Sequence, residues 1–120
     1  MSGKGHIETQ LEVPVDEQAD DEFDRVFAAM SHRTRRELLD LLRDHPRTTG
    51  DLCAQFASLD RCTVMQHLAV LERAGLVVAH RKGRERWNHL DVLPLARIHD
   101  RWIGDAARGA VGLLSALSRT

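Results

Sequence analysis

At Gly75 the spacing of apolar residues changes period. Before it, Val64, Leu68 and Leu71 recur at i, i+4 and i+7, the stripe of a helix that packs on one side. After it, Leu76 to His80 is short and rich in β-branched residues, Arg81-Lys82-Gly83-Arg84 makes a turn, and Glu85 to Leu90 can return as a second strand. Asp60 offers a cap to the helix and Gly75 supplies the left-handed residue that ends it, so the helix is predicted over Arg61 to Ala74. A helix that runs at once into a hairpin with a basic tip leaves few folds open.

Upstream, Thr48 followed three positions later by Asp51 resembles a capping box and opens a short helix, Thr48 to Ala57, that carries Leu52 and Phe56 inward. Phe23, Val26, Phe27 and Met30 mark an earlier amphipathic helix, and Ser31 is the expected cap of the next, whose Leu38, Leu39, Leu41 and Leu42 cluster before Pro46 stops it. Downstream, Asp91 and Pro94 signal a last helix with Leu95, Ile98, Trp102, Ala106, Leu113, Leu114 and Leu117 on its apolar side. Gly104, Gly109 and Gly112 each cost that helix about 1 kcal/mol relative to Ala, so its second half needs a partner packed on it. The fold class is mainly α with a small β-hairpin, a winged helix-turn-helix, with no internal repeat.

Length allows one domain, since 120 residues suit a single core. The net charge of -1 argues against nucleic acid until it is divided by segment. Residues 1–22 hold Lys4 against seven acids, a net of -6, which leaves +5 on residues 23–120. The first stretch reads as a solvated acidic tail and the second as a basic folded domain. Five aromatic residues and no tyrosine disfavour a base-stacking platform for single strands, so the nucleic acid expected is duplex. No apolar run is long enough for a signal peptide or a membrane span, and Cys53 and Cys62 read as reduced thiols, so the expected location is the cytoplasm, with no membrane partner.

In a winged helix-turn-helix the second helix presents polar side chains to base edges in the major groove, and the hairpin reaches the neighbouring backbone or minor groove. Around the helix from Arg61 to Ala74, Cys62, Gln66, Ala69 and Arg73 lie opposite the apolar stripe, with Thr63 and Val70 on one flank and His67 on the other. Candidate DNA contacts are therefore Arg61, Thr63, Gln66 and His67 on the helix and Arg81, Lys82, Arg84 and Arg86 on the wing, beside His80 and opposed by Glu85. Gln can pair bidentately with adenine, and Arg with guanine or phosphate. Each has a plainer reading: Thr63 and Gln66 as solvated positions, His67 as a half-buried histidine, the wing as a solvated charge run. Trp87 and Trp102 read as packing or dimer residues, Cys53 as an apolar filler. Cys62, at a helix start that favours a thiolate, leaves a redox-sensing alternative.

The strings VFAAMSHRTRRELLDLL, TTGDLCAQF and CTVMQHLAVLERAGLVVAHRKGRERWNHL resemble the ArsR/SmtB family of bacterial winged-helix regulators across residues 23–103. The resemblance implies a homodimeric, sequence-specific repressor of duplex DNA whose first and last helices form the dimer interface. By position it implies DNA-facing roles for Arg61, Cys62, Thr63, Gln66 and His67. The apolar faces of the first and last helices also exceed what a small monomer can cover, which makes Phe23, Phe27, Leu95, Ile98 and Trp102 the expected dimer contacts. Metal-sensing members carry a Cys-x-Cys pair where this chain has Thr48 and Gly50, and Asp91, His99 and Asp100 lack the spacing of a zinc set. No metal or cofactor is assigned and the effector stays open, the alternative being a thiol- or metal-responsive regulator that uses Cys62 or the C-terminal His and Asp residues. The loop Ala57-Ser58-Leu59-Asp60 is one residue longer than usual in the family. No paired carboxylates, nucleophile with a base, or phosphate loop supports an enzyme. The rival class is a winged-helix module whose basic surface meets an acidic protein.

Overall fold

A computed structural model describes residues 15–118 of the chain. The elements run α1 (Val15–Met30), α2 (Arg33–Asp44), β1 (Arg47–Thr48), α3 (Thr49–Gln55), α4 (Arg61–Arg73), β2 (Val77–Lys82), β3 (Glu85–Leu90), α5 (Leu93–Trp102) and α6 (Gly104–Ser118). Local chemistry explains the ends of α3 and α4. Thr48 accepts a hydrogen bond from the Asp51 N–H at 3.0 Å, and Asp60 accepts one from the Thr63 N–H at 2.7 Å, each satisfying an orphan donor of the first turn. Asp51 does not reach back as a capping-box partner and instead pairs with Arg47 at 3.0 Å. Gly75, at φ +81°, closes α4: its own N–H reaches the Glu72 carbonyl and the Leu76 N–H reaches Leu71, the two bonds of a Schellman end.

The hairpin pairs Val77 with Leu90 through Lys82 with Glu85, as the change of period at Gly75 requires. The sheet has a third strand that the sequence reading lacks, because β1 pairs antiparallel with β3, Arg47 opposite Asn88 and Thr48 opposite Trp87, giving the order β1-β3-β2. Asn88 fastens this edge. It is fully buried, and its Nδ2 donates to the Arg47 carbonyl at 3.2 Å and to Thr49 Oγ1 at 3.1 Å, tying the wing to the start of α3.

One hydrophobic core joins all these layers: Val26 and Ala29 from α1, Leu38, Leu39 and Leu42 from α2, Leu52 from α3, Val64, Leu68 and Leu71 from α4, and Leu76 and Val77 at the wing. Three expectations are corrected. The first helix begins at Val15 rather than Phe23, so residues 15–22 are not a tail. Part of the acidic stretch instead forms a charged helix face, where Asp20 pairs with Arg101 at 3.0 Å and Glu22 with Arg97 at 2.5 Å on α5. Residues 1–14 of the expected tail lie outside the described residues. The cap of α2 is His32, whose Nδ1 accepts from the Thr34 N–H at 3.2 Å, while the Ser31 hydroxyl donates backward to the Ala28 carbonyl. The last helix is two helices, broken at Ile103 and Gly104, where Gly104 takes φ +37°, a backbone angle that a Cβ disfavours.

Candidate nucleic-acid interface

Caps, core and sheet together set α4 beside the wing and leave a cleft of about 240 Å³ between them. Arg61 enters it from the first turn of α4, Arg81, Arg84 and Arg86 from the hairpin, and Thr48, Thr49 and Gly50 close the third side. Glu85 is the one acid among its lining residues. Arg61, Arg81 and Arg84 are exposed, whereas Arg86 is half-buried and forms an ion pair with Glu72 of α4. Arg86 therefore braces the wing against α4, and the guanidinium groups of the other three are the cleft's solvent-facing positive charge. Three cations opening on one groove suit a polyanion, because Arg matches phosphate oxygens bidentately.

Lys82 belongs elsewhere. It lines a shallow depression on the outer face of the wing with Pro46, His80, Trp87 and His89, where the two imidazoles stack with centroids 4.8 Å apart. On α4, Cys62 and Gln66 are exposed and Thr63 is half-buried, in keeping with the side opposite the Val64, Leu68 and Leu71 stripe. His67 is half-buried and engaged, its Nδ1 lying 3.1 Å from Arg35 Nη1 and its ring 4.4 Å from that of His32. Burial first, then the charges of His32 and Arg35, hold its pKa below the ordinary histidine value. Sequence reasoning missed Met65, 44% exposed, which lines the cleft beside Arg61. The signal was available, since at 100° per residue Met65 falls on the same flank of α4 as Arg61.

The expected dimer residues divide. Phe23 is 6% exposed, and Leu95 and Ile98 pack against the chain's own core, so these three already serve the monomer. Phe27 and Trp102 are 50% and 55% exposed and lie beside one another, with ring centroids 6.0 Å apart. Ile103, between α5 and α6, and Leu113 and Leu114 of α6 are exposed as well. The metal expectations meet the same geometry. Thr48 is a helix cap and Gly50 has no side chain, Asp91 accepts the Leu93 N–H, and among the described residues no three His, Cys, Asp or Glu side chains of one chain gather as a ligand set. Among the described residues no helix is long and apolar enough to cross a membrane.

Known proteins share this arrangement. The family model described as a helix-turn-helix domain matches residues 30–79. The transcriptional repressor SdpR of Bacillus subtilis is 39% identical over 59 residues, 49% of this chain and 64% of SdpR, so the match takes in just under two thirds of that relative. YuzN of the same organism, an uncharacterized HTH-type transcriptional regulator, is 35% identical over 86 residues, 67% of this chain and 94% of YuzN. Among solved structures, an ArsR-like transcriptional regulator from Rhodococcus sp. RHA1 superposes with a TM-score of 0.61 at 26% identity, covering 82% of this chain and 92% of that one. A match that spans nearly all of one relative, on a fold with the same helix-turn-helix and wing, places the chain in the ArsR/SmtB-type winged helix-turn-helix transcriptional regulators, a family of regulators rather than enzymes.

Proposed function

We propose that this chain is a cytoplasmic, sequence-specific repressor that binds double-stranded DNA as a homodimer on a pseudo-palindromic operator. The observation that carries the reading is the cleft between α4 and the wing, lined by the exposed Arg61, Arg81 and Arg84, on the same helix that exposes Gln66. In this arrangement the three arginines hold phosphates and set the register, and Gln66 and Thr63 read base edges in the major groove. The apolar surface of Phe27, Trp102, Leu113 and Leu114 supplies the dimer, which sets two recognition helices about 34 Å apart, near one duplex turn. The name of SdpR, a transcriptional repressor, supports repression rather than activation. Purified protein at moderate salt should bind a fragment from beside its own gene more tightly than random duplex of equal length. Equal affinity for both would refute the reading.

A further inference from the structure

Arg35 of α2 makes three contacts that join two functional surfaces. Its Nε donates to the Ala29 carbonyl at 2.6 Å and its Nη2 to the Ala28 carbonyl at 3.3 Å, at the C-terminal end of α1. Its Nη1 lies 3.1 Å from Nδ1 of His67 on α4. A guanidinium has only donors, so Nδ1 must accept, which places the neutral imidazole's proton on Nε2. The neighbouring Arg36 adds a further bond to the α1 end, from Nη1 to the Met30 carbonyl at 2.6 Å. Thus α1, which carries Phe27, and α4, which carries Gln66, are bound to the same side chain.

We infer that His67 is a positioning residue: through Arg35 it sets the recognition helix against the end of α1, and does not itself read a base. The inference rests on the DNA-binding reading. His32 and Arg35 are the charged or titratable groups that face the imidazole from the start of α2, the α1 carbonyls meet Arg35 and not the imidazole, and the positions one turn away on α4, Thr63, Val64, Val70 and Leu71, carry no charge. Protonation would make Nδ1 a donor facing a donor. Because the folded pKa lies below the ordinary 6.5, the contact is intact above that value and is lost as pH falls below 6.5 through the folded value.

The test uses full-length protein and the duplex that the wild type selects from a random library. His67→Ala should weaken binding about tenfold, as for loss of one hydrogen bond to a charged group, and reselection with it should return the wild-type sequence preference. His67→Asn, whose Oδ1 can stand near the Nδ1 position and does not titrate, should bind within about threefold of wild type and lack the wild-type loss of affinity as pH falls below 6.5 through the folded value. In the free protein, imidazole nitrogen shifts should show the Nε2–H form of His67. A new base preference for His67→Ala would overturn the inference and make His67 a reader. Unchanged pH dependence in His67→Asn, or the Nδ1–H form in the free protein, would also overturn it while leaving the DNA-binding reading intact. A wild type that selects no duplex would overturn both.

Discussion

The face made by α4 and the wing and the end made by α1, α5 and α6 are both exposed, but they are exposed by opposite chemistry. The first carries Arg61, Arg81 and Arg84 around a cleft, and the second carries Phe27, Trp102, Leu113 and Leu114 in water. A solvated arginine needs no explanation on a surface, whereas four large apolar side chains on neighbouring elements do. The difference teaches that exposure alone does not identify a partner. Positive charge in a groove selects a polyanion, and exposed apolar side chains select a surface like themselves.

Breaking the apolar end should have the largest effect. Phe27→Asp combined with Leu114→Asp should give a sedimentation mass of one chain that still folds. Loss of the linked second half-site should weaken operator binding by about 10² or more. Breaking the basic face should leave the dimer intact. Replacing Arg61, Arg81 and Arg84 with alanine should lower the log-log salt slope by about 3 and reduce affinity roughly 10²-fold near 0.2 M salt. If either set of changes produced the other's outcome, the division of labour between the two regions would be wrong.

Smaller effects sharpen the comparison from within the basic face. Asn88→Ala should cost about 1 to 3 kcal/mol in chemical unfolding, because the Arg47 carbonyl and Thr49 lose their buried donor. Its effect on the dimer mass should be nil. Asp60 should matter least and only in acid. The backbone N–H of Thr63 first, and then its hydroxyl, hold the Asp60 carboxyl below its ordinary 3.8. Its stabilisation is therefore full above that value and lost as pH falls through and below it. Thermal melting between pH 5 and 2.5 should show a steeper fall for wild type than for Asp60→Asn, which keeps an acceptor but does not titrate.

What the sequence made legible is what is decided locally. Asp60, Gly75 and the Val64, Leu68 and Leu71 stripe define α4 within 16 residues of one another, and the hairpin follows from its turn. β1 was not legible, because two residues carry no period and Arg47 finds Asn88 from 41 positions away. Ser31 is the expected cap and the adjacent His32 serves instead, because the Ser31 hydroxyl turns back to the Ala28 carbonyl where the chain leaves α1. The acids of residues 15–22 looked like a tail because Arg97 and Arg101, which meet them, are more than 70 positions downstream. At the interface, the wing's charge run was visible, but its division was not. Arg86 is spent on Glu72 and Lys82 turns to the outer face, both outcomes of how the hairpin packs on α4.

Selection of bound duplexes from a random library, with the number of chains per duplex counted by mass, tests both regions at once. The selected pool should converge on an inverted repeat whose half-sites lie about one turn apart, roughly 10 to 10.5 base pairs, with two chains on each duplex. A pool that stays random, or a converged sequence without a repeat that carries one chain, would contradict that expectation.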